Sequence, residues 1–347
     1  KGEIMMNLIT GGSGFLGTAL TKKLLEKGED VRIYDLVEPV PELRGEVEFI
    51  KGDILDRGRL GDACKGVDMV YHTAALVPLS KAGKRFKDVN VEGTRNIVEV
   101  SLKSGVDRFI HISSSAVYDL SKMPITEESP IKPVGAYGSA KYEAELVVRE
   151  GQKKGLNSVI IRPRTIVGEY RAGIFQILYD WVYDGKTIYT LGDGSNLFQL
   201  ISESDLCEAC YAASKTEKSS GEVINIGTEE FGTLNELLQD LIKHAGTGSK
   251  IKHINATFAR SLLRVLDKMR LSPLADWHYL TLDKPFYFDI TKAKRILNWK
   301  PKDSNRDMLI KSYDWYVEHR DEINSMKGTT HRVSPRQRLL AVLKKLS

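Results

Sequence analysis

The chain has 347 residues, of which 41% are hydrophobic, so it is long enough to bury a sizeable core and to form about two domains. Its formal charge of +5 comes from one end, because six of the 51 Lys and Arg residues and none of the 46 acidic residues lie in 327–347. The rest is nearly neutral, which argues against nucleic-acid binding. No apolar stretch approaches the roughly 20 residues that span a bilayer, and three cysteines are too few for a disulfide framework, so we expect a cytoplasmic protein.

The first predicted unit, within residues 8–17, is a short buried strand that breaks into glycines and restarts as a helix. Gly11, Gly14 and Gly17 are spaced by two residues each. This spacing allows a tight turn, a close approach of the backbone to a pyrophosphate, and close packing of the helix on its strand. The helix, predicted over residues 15–27, would hold the anion at its N-terminus.

A second strand, at 31–34, is followed by Asp35, roughly 20 residues after the glycines. At this place an acidic side chain accepts hydrogen bonds from an adenosine ribose diol and repels a 2′-phosphate. Asp35 therefore predicts NAD, in preference to NADP, as the cofactor. Arg32 should point away from this site, because side chains alternate along a strand.

The next elements continue the alternation of strands and helices that is typical of a parallel sheet. They are a strand at 47–51 followed by Gly52-Asp53-Ile54, a helix at 56–63, a strand at 69–73 followed by Ala74-Ala75, a polar loop at 77–87, and an amphipathic helix that ends at Ser104. Asp53 lies where a side-chain acceptor can reach the exocyclic amine of adenine. The small Ala74 and Ala75 allow a ring or a ribose to lie against the backbone.

A fifth strand, Arg108–Ile112, ends in three serines, and Tyr137 and Lys141 follow in a helix that runs to about Lys154. Tyr137 and Lys141 lie one turn apart on the same helix face. A phenol with a reference pKa of about 10 is a poor base at neutral pH, but a neighbouring ammonium and a nicotinamide cation favour the phenolate. Tyr137 can then take the proton of a substrate hydroxyl while hydride leaves the same carbon. A serine at the strand end would hold the substrate oxygen.

Three later segments have recognisable patterns. Cys207 and Cys210 form a CxxC without a second pair or a flanking histidine, which predicts a helix that buries both thiols and no metal site. Residues 257–270 predict an amphipathic helix with Phe258 on its apolar face and Arg260 on its polar face. Residues 335–346 predict a basic amphipathic helix that docks on the body or on a partner subunit, with contact to an anionic membrane surface as the less favoured alternative.

Nine motifs occur in a characteristic order between residues 5 and 320. They are Thr10-Gly11-Gly12-Ser13-Gly14-Phe15-Leu16-Gly17, His72-Thr73-Ala74-Ala75, Asn90-Val91-Glu92-Gly93-Thr94, Ser113-Ser114-Ser115, Tyr137 to Lys141, Arg162 to Gly168, Gly192-Asp193-Gly194, Asn225-Ile226-Gly227 and Trp299-Lys300-Pro301. This series resembles the extended short-chain dehydrogenase/reductase family, and within it the NAD-dependent epimerase/dehydratase group with its nucleotide-sugar epimerases.

The resemblance implies an α/β fold: a Rossmann, doubly wound parallel sheet of about seven strands with a smaller C-terminal α/β substrate-binding subdomain. Residues 5–170, with contributions from about 200–228, would form the NAD-binding domain. Residues 171–325 would form mainly the substrate-binding subdomain, and 326–347 the basic amphipathic C-terminal tail. The family often dimerises through the helices near 86–104 and 137–154, so the resemblance also implies a homodimer.

The resemblance implies Ser114, Tyr137 and Lys141 as the catalytic residues, with Ser115 as the alternative serine, and Lys141 as the group that lowers the pKa of Tyr137 and holds the nicotinamide ribose. Expected NAD contacts are Gly11, Gly14, Phe15, Leu16, Gly17, Asp35, Asp53, Ile54, Thr73, Ala74, Ala75, Asn90, Ile112, Ser113, Tyr137, Lys141, Pro163 and Thr165. Expected substrate contacts are Val77, Ser114, Ser115, Arg164, Phe198 and Gln199. No metal ligand is expected.

Two departures from the family pattern bear on the substrate. Sugar 4,6-dehydratases carry an Asp-Glu pair where Ser115 and Ala116 stand, so the acid and base that eliminate water are missing here. Nucleotide-sugar enzymes usually place an Arg that clamps the diphosphate where Phe198 stands, and a phenyl ring cannot supply charge-assisted hydrogen bonds. Either Arg164 or an arginine of the 257–270 helix, which in the family lies near the substrate opening and could form a lid, would have to replace that charge.

The sequence favours an NAD-dependent oxidoreductase that interconverts a secondary alcohol and a ketone on a small-molecule substrate, as a UDP-sugar 4-epimerase does on a nucleotide sugar. A 3β-hydroxysteroid-dehydrogenase-like dehydrogenase, or a ketoreductase on a non-nucleotide substrate, is the alternative among enzymes. An NAD-binding scaffold without catalysis is the alternative of another class. The presence of both Tyr137 and Lys141 speaks against the scaffold.

Overall fold

Seven parallel strands form one sheet that organises the computed structural model, which describes residues 4–77, 83–169, 174–268 and 281–325. In chain order, the strands of the described residues are β1 (Met6–Thr10), β2 (Asp30–Asp35), β3 (Glu48–Lys51), β4 (Met69–His72), β5 (Arg108–Ile112), β6 (Ser158–Pro163), β7 (Thr165–Val167), β8 (Ile188–Leu191), β9 (Leu197–Phe198), β10 (Leu200–Ser202), β11 (Val223–Ile226), β12 (Gly232–Thr233) and β13 (Ile251–Ile254).

The helices of the described residues cover both faces of this sheet and build the part of the protein beside it. They are α1 (Phe15–Glu26), α2 (Arg57–Ala63), α3 (Arg85–Lys87), α4 (Gly93–Ser104), α5 (Gly135–Lys153), α6 (Ile174–Tyr183), α7 (Glu203–Lys215), α8 (Leu234–Ala245), α9 (Ala256–Lys268), α10 (Thr291–Leu297), α11 (Asn305–Glu318) and α12 (Arg320–Ser325).

The spatial order of the main sheet is β11-β6-β5-β4-β1-β2-β3. All neighbours run parallel, with β1 between β2 and β4. The chain moves outward from β1 to β3 and then crosses back to β4, so the order reverses beside β1. In open parallel sheets, ligands bind outside the carboxyl ends of the strands at such a reversal. The predicted doubly wound fold is confirmed, and it places the candidate site at this edge.

Apolar side chains alternate between the two faces of the sheet, and each face is covered by helices. Ile9 contributes to the core shared with α1 and α7, whereas its neighbour Leu8 contributes to the core shared with α4 and α5. Cys207 and Cys210 on α7 are free thiols buried in the first of these cores, which confirms their predicted packing role. Both faces are thus buried, as a parallel sheet requires.

A smaller α/β unit follows the main sheet. Strands β8 and β13 pair in parallel, and α6, α8 and α11 enclose a separate apolar cluster that includes Tyr179, Leu238 and Tyr313. The helices begin at strong local signals. For example, α8 opens with a capping box in which Thr233 and Glu236 bond each other's backbone N–H groups. This smaller unit therefore has its own apolar core.

Two segments differ from the sequence prediction. The polar loop predicted at 77–87 ends earlier, because helical backbone begins at Arg85 and continues through a π-helical stretch, Asp88–Glu92, into α4. Phe86 is buried there and meets the ring of Tyr137, which makes an exposed loop unfavourable. In α9 the predicted apolar face was wrong at Phe258, which is 65% exposed, whereas Ala259 is buried next to Leu191.

No helix among the described residues has both the length and the apolarity needed to cross a membrane. The basic amphipathic helix predicted at 335–346 lies outside the described residues.

Candidate active site

The glycine turn between β1 and α1 brings backbone atoms very close together. Gly11 has a φ of +73°, in the left-handed region that favours glycine. A Cβ atom there would lie 2.7 Å from backbone atoms of Ala74, and a Cβ atom at Gly17 would lie 2.2 Å from the carbonyl oxygen of Gly11. Gly14 is the N-cap residue of α1, so no side chain caps the helix that begins with Phe15. This cradle fits the pyrophosphate of a dinucleotide.

Asp35 lies at the carboxyl end of β2, beside the glycine turn. Its Oδ2 accepts a hydrogen bond of 3.0 Å from the backbone N–H of Ser13, and its Oδ1 accepts one of 3.1 Å from the N–H of Val37. The carboxylate is therefore fixed next to the turn, where a ribose diol would reach it. Arg32 lies on the other side of the strand, as predicted, and pairs with Glu48 at 2.7 Å.

The predicted adenine contacts follow β3. Asp53 is exposed, its Oδ1 accepts a hydrogen bond of 3.0 Å from the N–H of Leu55, and its carbonyl oxygen accepts one of 2.8 Å from the hydroxyl of Tyr34. Ile54 is buried against Gly93, where a Cβ atom would approach the Ile54 side chain to 2.7 Å. The two residues thus form the outer corner of the cradle.

The loop after β4 closes the cradle from the other side. Thr73 donates a hydrogen bond of 2.8 Å to the carbonyl oxygen of Thr10, which holds the loop next to β1. Asn90, a predicted cofactor contact, is buried and uses its amide to bind both backbone groups of Leu76, at 2.7 and 3.0 Å. Its side chain therefore positions the loop. Val77, a predicted substrate contact, is half-buried at the end of this loop.

Tyr137 and Lys141 project from the first turns of α5. Tyr137 is half-buried, and its ring meets that of Phe86 edge-on with centroids 6.1 Å apart. Lys141 is only 4% exposed, and its Nζ donates a hydrogen bond of 2.6 Å to the carbonyl oxygen of Ile112 at the end of β5. Burial lowers the pKa of Lys141 to about 8, and the nearby Glu145 carboxylate opposes this shift.

A buried polar network behind Lys141 was not anticipated from the sequence. Glu145, one turn further along α5, accepts hydrogen bonds from Arg162 Nε at 2.8 Å, Arg162 Nη2 at 2.5 Å and Ser113 Oγ at 2.5 Å. Arg162 also donates to the hydroxyl of Tyr118 at 2.6 Å. The spacing of Glu145 four residues after Lys141 was the available signal, since it puts an acid on the same buried face.

The three serines after β5 have different partners. Ser113 donates to Glu145, and Ser115 accepts a hydrogen bond of 3.2 Å from Arg164 Nη1. Ser114 is half-buried and caps the single turn that follows, where its Oγ accepts a hydrogen bond of 3.1 Å from the N–H of Ala116. Its own hydroxyl hydrogen has no acceptor among the residues that the structure describes. The hydroxyl of Ser113 is used by Glu145, whereas Ser114 and Ser115 both keep a donor for a substrate oxygen among the described residues. Ser114 is the more accessible of these two, because Ser115 is only 3% exposed.

A close backbone contact brings the serines to Tyr137. A Cβ atom at Gly138 would lie 2.5 Å from the carbonyl oxygen of Ala116, so the first turn of α5 packs directly on the turn that contains Ser115 and Ala116. The N–H of Val134 also donates to the carbonyl oxygen of Ala116, at 2.9 Å. Tyr137 and the serine turn are therefore held against each other by the backbone.

The strand edge beyond β5 carries the remaining predicted cofactor contacts. Pro163 closes β6 beside Ile226 of β11, and Thr165 opens β7 beside Leu200 of β10. The carboxyl edge of the sheet thus gathers most of the predicted cofactor and catalytic residues.

Two predicted substrate contacts near Phe198, Arg164 and Gln199, are both buried but have different hydrogen-bond partners. Arg164 is 1% exposed, and its guanidinium carbon lies 3.6 Å from the ring centroid of Phe286 and 5.8 Å from that of Phe198. Gln199 is fully buried; its Nε2 donates to the carbonyl oxygen of Thr228 at 2.7 Å, and its Oε1 accepts from the N–H of Phe288 at 2.8 Å. The Gln199 amide thus joins two backbone segments, and we assign it a structural role in place of the predicted substrate contact.

Comparison with known proteins agrees with this geometry. The family model described as the NAD dependent epimerase/dehydratase family matches residues 7–227. The uncharacterized protein y4nG of Sinorhizobium fredii is 42% identical over 338 residues, which cover 97% of this chain and 85% of the relative. A putative UDP-glucose 4-epimerase of Methanocaldococcus jannaschii is 29% identical over 325 residues, which cover 89% of this chain and 98% of the relative.

Among solved structures, the UDP-glucuronic acid 4-epimerase from Bacillus cereus in complex with NAD is similar to this chain. The identity is 26% and the TM-score 0.76, and the alignment covers 90% of this chain and 99% of that one. The similarity therefore extends through both the main sheet and the smaller unit.

Proposed function

This chain belongs to the NAD-dependent epimerase/dehydratase family, and on that premise we propose that it is an epimerase that oxidises a secondary hydroxyl of a nucleotide sugar and reduces the ketone again on its other face. The observation that carries the proposal is the contact of Gly138 with Ala116, which holds Tyr137 beside the serine turn while Lys141 is anchored to Ile112. This arrangement provides a proton acceptor, a cation that favours its ionised form, and a donor for the substrate oxygen.

NAD is the cofactor, and the residues at the sheet edge fit it. The Gly11–Gly17 turn, where a Cβ atom at Gly11 or Gly17 would collide with the backbone, would hold the pyrophosphate, and Asp35 would hold the adenosine ribose. When bound, NAD would supply the redox chemistry, namely reversible hydride transfer at the substrate carbon. Lys141 would hold the nicotinamide ribose.

The proton moves through this chain's own side chains. Tyr137, as phenolate, would accept the proton of the substrate hydroxyl, and the buried ammonium of Lys141 would stabilise the phenolate charge. Ser114 would donate a hydrogen bond to the same substrate oxygen and orient it. Glu145 and Arg162 compensate each other's charge behind Lys141, and the lysine itself is held by the carbonyl oxygen of Ile112.

The relatives support a nucleotide sugar as the substrate. The similar proteins include a putative UDP-glucose 4-epimerase and a UDP-glucuronic acid 4-epimerase. Elimination of water is disfavoured, because Ser115 and Ala116 stand where 4,6-dehydratases carry their acid and base. We therefore propose epimerisation as the reaction.

A thermal-shift screen tests the substrate class. A ligand that binds the folded state raises the melting temperature with the logarithm of its concentration over its dissociation constant. NAD-loaded protein is screened against UDP, GDP, CDP and dTDP at millimolar concentration, and one clear hit is expected. Stoichiometric NAD in the purified protein would support an epimerase further, because an epimerase keeps its cofactor through the cycle whereas a dehydrogenase must exchange it.

A dehydrogenase or ketoreductase that acts on a non-nucleotide substrate is the second candidate. It is favoured by Phe198, which stands where the family's nucleotide-sugar enzymes usually place a diphosphate-binding arginine. If no nucleotide shifts the melting temperature while apolar ketones or hydroxy-lipids do, this candidate replaces the epimerase.

A further inference from the structure

Arg164 is a fully buried cation without an acidic partner. The residue is 1% exposed, and among the described residues no carboxylate pairs with its guanidinium. Nη1 donates to Ser115, but Nε and Nη2 are buried and have no hydrogen-bond partner within the part of the chain that the structure describes. Burial lowers the pKa of Arg164 to about 9. An unpaired buried charge is costly, and buried polar groups nearly always have hydrogen-bond partners. The unpaired guanidinium of Arg164 therefore points to a ligand that supplies the missing acceptors.

Aromatic rings enclose this guanidinium. Its central carbon lies 3.6 Å from the ring centroid of Phe286, 5.7 Å from that of Phe288 and 5.8 Å from that of Phe198. The contact with Phe286 offsets part of the cost of the buried charge through a cation–π interaction. Rings can cover the face of a guanidinium, but they cannot accept the hydrogen bonds that its edge directs outward in its plane. The edge that carries Nε and Nη2 therefore remains without acceptors.

Arg162, two residues before Arg164, shows which kind of group binds the Nε–Nη2 edge of a guanidinium in this protein. Its Nε and Nη2 form a two-pronged contact with the two carboxylate oxygens of Glu145, at 2.8 and 2.5 Å. The same two nitrogens are the ones without partners in Arg164. This edge of a guanidinium presents two parallel N–H donors that match the two oxygens of a carboxylate.

The position of Arg164 limits where such a carboxylate can be on the substrate. Arg164 is bonded to Ser115, the chain neighbour of Ser114, and consecutive Cα atoms are about 3.8 Å apart. Ser114 is the residue proposed to hold the oxygen that is oxidised. A group that binds Arg164 is therefore close to the reacting carbon, whereas the diphosphate of a nucleotide sugar lies beyond the sugar ring.

We propose that Arg164 binds a carboxylate that the substrate carries on a carbon next to the one that is oxidised. This inference rests on the proposed function, and for a nucleotide sugar it specifies a sugar acid. The two donors are covered in the structure, so a neighbouring side chain must move when the ligand enters. Phe198 is the half-buried ring of the three and lies in the two-residue strand β9, so we assign the movement to it.

Calorimetry with matched ligand pairs tests the proposal on NAD-loaded, full-length protein. The probes are UDP-glucuronate against UDP-glucose, and free glucuronate against free glucose. We expect the carboxylated member of a pair to bind at least tenfold more tightly. In Arg164→Met this preference should disappear, with the affinity for NAD unchanged. In Arg164→Lys, which keeps the charge but loses the paired donors, most of the preference should also disappear.

Arg108→Met is the matched control for the loss of a buried arginine. Arg108 is also buried, but it lies at the amino end of β5 and donates to Asn157 and to the carbonyl oxygen of Thr216. This variant should keep the full preference for the carboxylate. Should Arg164→Met fail to fold, Arg164→Lys and the wild-type comparison still test the proposal.

Four outcomes separate this proposal from the proposed function. A wild-type preference below twofold in both pairs, or a preference that survives in Arg164→Met, overturns the carboxylate site. Equal weakening of UDP-glucuronate and UDP-glucose in Arg164→Met also overturns it, because Arg164 would then bind the diphosphate. If free glucuronate binds more tightly than free glucose and the UDP group adds no affinity, the carboxylate site is supported and the nucleotide-sugar substrate is contradicted.

Discussion

The ammonium nitrogen of Lys141 lies 2.6 Å from the backbone carbonyl oxygen of Ile112. This bond joins α5, the helix that carries the proposed catalytic residues, to the end of β5, the strand that leads into the three serines. It also fixes a cation in a buried position, where the proposed effect on the Tyr137 phenol would be stronger than in water. The spacing of Tyr137 and Lys141 on α5 thus becomes a fixed geometry at the sheet edge.

The affinity for NAD should depend on pH through Lys141. Burial lowers the pKa of this lysine to about 8, so the cofactor-free protein loses the proton above that pH, and with it the charge that is proposed to hold the ribose. We expect the NAD dissociation constant to rise up to about tenfold per pH unit above about pH 8, because NAD binds the protonated form. Calorimetry across this range measures it. Lys141→Arg, which stays charged, should remove the inflection; an equal inflection in this variant would contradict the assignment.

Tyr137→Phe should bind NAD normally but lose at least about a hundredfold in turnover, the usual scale for a general acid or base. The ring contact with Phe86 does not need the hydroxyl, so the fold should be retained. Steady-state kinetics measures the turnover, with a nucleotide sugar of the type that binds in the nucleotide screen as the substrate. Calorimetry measures the NAD dissociation constant. Near-normal turnover would remove Tyr137 from its proposed role.

Asp35→Ala should weaken NAD by more than about tenfold and NADP far less. The substitution removes charged acceptors for the ribose diol, each worth about 1.5–3 kcal/mol, and it also removes the repulsion of a 2′-phosphate. Both cofactors should lose some affinity, because the hydrogen bond from the N–H of Ser13 to Asp35, which fixes the glycine turn, is also lost. Equal weakening of the two, measured by calorimetry, would contradict the role of Asp35.

Gly17→Ala should destabilise the protein by about 1–3 kcal/mol and abolish NAD binding, because its Cβ atom would lie 2.2 Å from the carbonyl oxygen of Gly11. Gly61→Ala is the matched control, since a Cβ atom there meets nothing within 4 Å and Gly61 lies inside α2. It should be neutral, or more stable by up to about 1 kcal/mol. Chemical denaturation of both variants compares them, and equal stability would show that the turn tolerates a side chain.

The elements with strong local signals could be predicted from the sequence. The bounds of β5, Arg108–Ile112, agree with the prediction, and the helix predicted from residue 56 begins at Arg57 with Asp56 as its cap. The helix start follows from a local contact, because Asp56 accepts a hydrogen bond from the N–H of Arg59. The strand is recognisable from its short apolar run, although its hydrogen bonds go to the distant strands β4 and β6. The parallel sheet of about seven strands is likewise implied by the family motifs, whereas the order of its strands comes from the structure.

Features that depend on distant partners could not be predicted. The burial of Arg164 depends on Phe286, more than a hundred residues later, and the role of Gln199 depends on the backbone of Phe288. The early start of helical backbone at Arg85 depends on Phe86, which packs against Tyr137. In each case periodicity and spacing carry no information about the partner, because the fold alone brings the two segments together.

The most direct test of the account is the product balance of the reaction. A nucleotide sugar that binds in the screen is incubated with the protein and one equivalent of NAD, and the epimer and free NADH are measured together by NMR and absorbance. We expect many turnovers to the epimer without accumulation of NADH, and at least about a hundredfold fewer in Tyr137→Phe. Formation of a ketone with an equivalent amount of NADH, and no epimer, would contradict the account.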